Sequence, residues 1–166
     1  RDRHFYMNIF VLSEDPEESA RMQCDKHVVK MILESGQMLC AAHDPGEAPW
    51  KRTHFNHPCT VWTRSSKANY EWLSVHGLEL CAEYTRRYGR RHGAEDVLLW
   101  CAENIPRNLP DVGLTPFAVA IKDKRYHLGD VVSSYRAYYL GEKSRFAKWR
   151  YCDPPTWWVT SQPSQP

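Results

Sequence analysis

The sequence predicts a compact all-α fold in a single domain. Three observations predict it. Apolar residues recur at helical spacing through two long stretches, cap and breaker residues stand at the ends of those stretches, and 166 residues with 42% hydrophobic and 25% charged side chains suit one domain with its own core. No apolar run approaches the roughly 18 residues that a membrane helix needs. No charged-then-apolar leader precedes the chain, so the expected location is cytoplasmic. The six cysteines (24, 40, 59, 81, 101 and 152) form no CxxC pair and are read as reduced, mostly core thiols.

The elements follow in order. Residues 1–6 are expected to be an extension before a natural start at Met7. Met7–Leu12 is a short apolar run, either a strand or an extended segment packed on helices. Asp15 can cap a helix, Pro16 suits its first turn, and Glu17 and Glu18 complement its dipole. That long first helix is expected to run to about Ala42, where His43-Asp44-Pro45-Gly46 breaks it. Val28, Ile32 and Leu39 share one face, with Val29, Leu33 and Cys40 beside it. Residues 44–58 form a Pro- and His-rich loop, and Pro58 opens a short helix. A longer helix spans 69–88, with Tyr70, Leu73, Gly77, Leu80, Cys81, Tyr84 and Tyr88 in one stripe, close helix approach at Gly77 and a C-cap at Gly89. A helix over 94–104, a loop over 105–129 and a helix from Asp130 to Gly141 complete the domain, which ends at 158. The Pro- and aromatic-rich end is expected to be irregular, with a flexible tail over 159–166.

Net charge is only +2, but its distribution is uneven. Residues 1–50 carry five Lys/Arg against nine Asp/Glu, whereas 51–100 carry eight against five and 101–166 nine against six. Two clusters stand out. Arg86, Arg87, Arg90 and Arg91 fall within six positions, more than a helix C-terminus needs to complement its dipole. Lys143, Arg145, Lys148 and Arg150 alternate with Phe146, Trp149 and Tyr151. Cations hold phosphates and aromatics stack on exposed bases, so this pattern points to a nucleic-acid partner. Seven Trp exceed what so small a core requires, which makes Trp149, Trp157 and Trp158 candidate stacking residues.

A polar stripe crosses the first helix. Gln23, His27, Lys30, Glu34 and Gln37 share a face while the others are apolar. It is either a solvated face with a Lys30–Glu34 pair or a site. As a site, His27 suits acid–base work, Lys26 or Lys30 supplies an amine nucleophile or phosphate anchor, and Glu34 is the polar helper. His54, Asn56 and His57 precede Pro58, where they either cap the loop or bind anions at a helix N-terminus. Cys24, His27, His54, His57 and Cys59 are potential zinc ligands, but H-x2-H-x-C is not a finger or ribbon spacing, so no metal or other cofactor is expected. The zinc deaminase signature, G-x-S-x-G, a Walker loop and GxGxxG do not occur.

In order along the chain, an apolar start, Lys26-His27-Val28-Val29-Lys30, Pro58, Leu78–Glu83 followed by Arg86-Arg87, and Pro155-Thr156-Trp157-Trp158 resemble the phage pyrimidine-dimer DNA glycosylases. Uncharacterised short phage proteins are similar as well. The resemblance implies a small all-α enzyme that excises damaged or modified pyrimidines from duplex DNA in the host cytoplasm, as a monomer, with an associated abasic-site lyase activity. In that family an N-terminal α-amine attacks the sugar, assisted by a helix-1 Glu. Here His27 stands where that Glu would be, and Asn8 follows Met7. The expected cleft lies between the first helix, the His54–Pro58 loop and the basic–aromatic C-terminal segment. The alternatives are a nucleic-acid-binding module without catalysis and a metal-dependent nucleotide hydrolase.

Overall fold

The computed structural model describes residues 7–162. Among them there are helices and no strands. The helices are α1 (Pro16–Met22), α2 (Asp25–Cys40), α3 (Pro58–Ser65), α4 (Lys67–Tyr88), α5 (Glu95–Glu103), α6 (Val131–Glu142) and α7 (Thr156–Thr160), with a 3-10 turn at Lys124–Tyr126. The first six residues and the last four of the tail lie outside the described residues.

The central element is α4, packed against α1, α2, α3 and α5. Its ends are set locally: the Ser66 side chain accepts from the Asn69 N–H, and Gly89 closes the helix at φ 69°. Gly77 serves the expected close approach. A Cβ there would lie 2.5 Å from Leu98 Cδ1 on α5 and 3.5 Å from Ser35 Cβ on α2. Next to it His76 is fully buried and stacked on Trp72, with neither ring nitrogen partnered among the described residues. Burial pushes its pKa down to about 3, so it is a neutral core side chain.

The long first helix is two helices. Asp15 caps α1 through the Glu17 N–H, and Pro16 opens it as the sequence predicts. The chain then turns extended at Gln23 and restarts at Asp25. No Gly or Pro marks this break, because its cause is tertiary. The last carbonyls of α1 are taken by distant side chains: Arg87 donates to the Arg21 and Gln23 oxygens at 3.0 and 2.8 Å, and Trp149 Nε1 to that of Met22 at 3.1 Å. Groups that would have continued the helix are thus satisfied from outside it.

Met7–Leu12 is irregular, pairs into no sheet and is buried. Its polar member organises it. The Asn8 side chain accepts from the Ile9 N–H (2.8 Å) and Tyr135 Oη (2.7 Å) and donates to the Ala120 oxygen (3.0 Å). The predicted loop 105–129 is irregular apart from the 3-10 turn, and Asn69 fixes it through Thr115. Asp130 caps α6 through the Ser133 N–H, as expected. The C-terminal segment expected to be irregular contains α7, with Trp157 and Trp158 inside it. All six cysteines are free thiols, five of them buried, and Cys40 Sγ lies 3.8 Å from Cys101 Sγ.

Candidate active-site groove

One face of α2 meets the end of α6 and the segment that follows it. Two adjoining hollows lie there, of about 210 and 280 Å³. The first is lined by Asn8, Phe10, Lys26, His27, Lys30, Met31, Tyr138, Lys143 and Phe146. The second is lined by Asp25, Lys26, Tyr88, Phe146, Lys148, Arg150 and Tyr151. Lys26 and Phe146 belong to both, so the hollows form one groove with Lys26, Lys30, Lys143, Lys148 and Arg150 along it and the rings of Phe10, Tyr88, Tyr138, Phe146 and Tyr151 between them.

The floor is built from the buried part of the polar stripe. His27 is 5% exposed, stacked on Phe10 at 4.1 Å between ring centroids, and its Nδ1 lies 2.6 Å from Tyr139 Oη. That phenol oxygen also accepts from the Cys24 N–H at 3.2 Å, which ties the ring pair to the start of α2. Burial, and then the charges of Lys143, Lys30 and Lys26, push its pKa down to about 3. It is a neutral hydrogen-bonding imidazole, not a cation.

Glu34 lies behind Lys30. Its Oε1 accepts from the Asn8 N–H at 2.8 Å, and its Oε2 is 4.0 Å from Lys30 Nζ. Burial raises its pKa to about 7, with the Asn8 N–H and Lys30 pulling the other way. The carboxyl is poised between its two protonation states near neutrality, which is the range useful for proton transfer.

Phe10 is held in the left-handed region at φ 59°, a conformation that costs an L residue about 1–2 kcal/mol. Gln23 Nε2 donates to its carbonyl at 2.7 Å, and Ser19 Oγ does so at 3.4 Å. The kink places the ring over His27 in the groove wall. Asp25 ties the opposite wall down, accepting from the Arg150 N–H through Oδ2 (2.8 Å) while its own N–H donates to the Lys148 oxygen (2.8 Å).

The structure brings together Lys26, His27, Lys30, Lys143, Lys148 and Arg150, with Glu34 behind them. It separates others. His54, Asn56 and His57 line a different hollow of about 520 Å³ with Pro58 and Ala120–Lys122, back to back with the groove across Asn8. The expected three-sided cleft is thus two hollows. His57 Nδ1 accepts from the Cys59 N–H and caps α3. Arg87, expected to face DNA, is turned inward with a side chain only 1% exposed, because the α1 carbonyls, Asp25 and Glu83 hold it. Arg86 pairs with Glu83, Arg91 with Glu95 and Asp96, and Arg90 donates to Tyr84 Oη, so the arginine run is largely engaged within the protein. Arg145 is exposed beside the groove. Trp149, Trp157 and Trp158 are half-buried, packed on Met22, Tyr139 and one another as the back of the C-terminal wall. Among the described residues no three of His, Cys, Asp and Glu come close enough to hold a metal ion.

Sequence reasoning placed Lys143 among the phosphate contacts and missed its position beside His27 in the smaller hollow. It also passed over Asn8, Phe10 and Tyr138. Asn8 carried a signal, a lone amide in an apolar run, whereas the turn of Phe10 had none.

A groove lined by cations and rings on a helical domain is suited to a polyanion whose bases can be exposed. Residues 7–96, more than half of the chain, match the pyrimidine dimer DNA glycosylase family. The chain belongs to that family. Comparison with curated proteins and with solved structures gives no match. The matched stretch supplies Asn8, Phe10, Lys26, His27, Lys30 and Glu34, while Lys143, Phe146, Lys148 and Arg150 come from beyond it. No described helix is long and apolar enough to cross a membrane.

Proposed function

We propose that this protein excises a damaged or modified pyrimidine from duplex DNA in the groove between α2 and residues 143–151, and then cleaves the abasic strand. The observation that carries the reading is the convergence of Lys26, Lys30 and Lys143 on a ring-lined hollow floored by a neutral His27. Lys148 and Arg150 hold the phosphates of the strand. Extruding a nucleotide costs a few kcal/mol, least at a damaged pair. Stacking on a ring such as Phe146 or Tyr151 returns about 1–3 kcal/mol per base. The neutral imidazole of His27 faces the departing base or the sugar oxygen, and Glu34, with its raised pKa, exchanges protons beside it.

The test is base release and strand scission on duplexes carrying a single thymine dimer or an oxidised or alkylated pyrimidine, against the undamaged duplex. Release from at least one lesion and none from the undamaged strand is expected. No release from any of them would refute the reading. A binding module without catalysis is the second reading, favoured by the complete hydrogen bonding of the buried His27 Nδ1 and Glu34 Oε1. It predicts salt-sensitive duplex binding that survives His27→Gln with no lesion chemistry in the parent protein.

A further inference from the structure

Two of the six thiols face each other across a helix seam. Cys40 is the last residue of α2, and its Sγ lies 3.8 Å from that of Cys101 on α5. They are the only two thiols in contact among the described residues. Glycine brings the helices together. One turn before Cys40, a Cβ on Gly36 would lie 3.4 Å from Leu98 Cδ2, and Leu98 is one turn before Cys101. Gly77 on α4 admits the other methyl of Leu98. The cysteine pair is the next rung of the same seam.

A hollow of about 610 Å³ opens beside this rung, with Ala42, His43 and Trp100, all within three positions of a cysteine, on its wall. His43 Nε2 is 2.9 Å from Tyr70 Oη, which donates to the Cys101 carbonyl at 2.8 Å, so the hollow is joined to the backbone of the pair. Both cysteines are buried, which admits only a small reagent.

We propose that Cys40 and Cys101 form a reversible two-electron redox site, oxidised by hydrogen peroxide to a disulfide that ties the end of α2 to α5. This does not depend on the glycosylase reading. The pairing with Cys101, with the Trp50 N–H adding to it, holds the Cys40 thiol below the usual cysteine range against the opposing effect of burial. The thiolate is the form that attacks.

The steps balance as follows. The Cys40 thiolate forms an S–O bond to one peroxide oxygen as the O–O bond breaks. The departing hydroxide takes the proton that Cys40 shed and leaves as water. The Cys101 sulfur then forms the S–S bond as the Cys40 S–O bond breaks, and the second hydroxide leaves as water with the Cys101 proton. Two thiols and one peroxide give one disulfide and two waters. The bond fastens the far end of the helix that carries Lys26, His27, Lys30 and Glu34. It also closes a loop holding α3 and α4, with 61 positions between the cysteines, which restricts the unfolded chain.

The test is oxidation of the full, folded chain by hydrogen peroxide, then denaturation in iodoacetamide and peptide mapping. A Cys40–Cys101 cross-linked peptide, a mass loss of about 2 Da and the loss of two of the six free thiols are expected, all reversed by dithiothreitol. The oxidised protein should melt about 5–15 °C above the reduced one. Cys40→Ser should abolish both the link and the shift. If that variant misfolds, mapping of the wild-type protein still decides. Six free thiols after peroxide, oxidation confined to Cys152, or a link between any other two cysteines overturns the proposal. A Cys40–Cys101 link that forms only in urea overturns it too, because the fold would then not be what pairs them.

Discussion

Arg87→Met removes a buried cation that joins four groups. The guanidinium donates to the carbonyls of Gln23 (2.8 Å) and Arg21 (3.0 Å) and to Asp25 Oδ1 (3.2 Å), and its Nε lies 3.5 Å from Glu83 Oε1. In the variant Asp25 keeps the Arg150 N–H and Glu83 keeps Arg86, so neither carboxylate is wholly orphaned. The two α1 carbonyls lose their donors. Breaking a buried ion pair from one side costs about 3–5 kcal/mol. At this chain length that is a fall in Tm of roughly 6–20 °C. Urea unfolding followed by circular dichroism would measure it, with the midpoint read at constant slope. The same variant, assayed well below its Tm, should keep the wild-type salt dependence of DNA binding, because the side chain does not reach the surface. A loss below about 1 kcal/mol, or a flattened salt slope, would refute the assignment of Arg87 to the interior.

Three further outcomes are expected. Lys148→Gln or Arg150→Gln should each reduce the slope of log K against log salt by about 0.9, one phosphate contact apiece, in duplex binding followed by fluorescence anisotropy. Glu34 has a folded pKa above its unfolded value, so its contribution to stability is fully present below pH 4.5 and is lost as pH rises through about 7. Wild type should therefore lose on the order of 3 kcal/mol relative to Glu34→Gln between pH 4.5 and 8, read by urea unfolding at each pH, and a pH-independent difference would contradict the burial argument. Gly77→Ala places a methyl against Leu98 at the meeting of three helices and should cost about 1–3 kcal/mol in thermal unfolding, through overpacking.

The legible parts of the fold were those written in neighbouring residues. Asp15 with Pro16, Pro58, Gly89 and Asp130 each fix a helix end through bonds no more than a few positions long, and all stand where the sequence puts them. The interruption at Gln23 was not legible, because Arg87 and Trp149, which hold the free carbonyls, lie 64 and 127 positions away from the residues they bind. The same limit applied to the groove. The stripe of His27, Lys30 and Glu34 was visible as a helical face, but which of its members faces inward depends on Asn8 and Tyr139. The arginine run was visible as charge, whereas its carboxylate partners at 83, 95 and 96 determine how much of that charge is free. Lys143 looked like any cation in a basic segment until the packing of α6 brought it beside Phe10.

The fastening of α1 by Trp149, and of Asp25 by the Arg150 backbone, has a consequence for the order of assembly on the ribosome. The first helical junction to be synthesised is closed by residues made some 125 positions later. Until they emerge, the α1 and α2 termini face water and the groove has only one wall. The nascent chain therefore carries an open α1–α2 junction and a one-walled groove until residues 149 and 150 have been made.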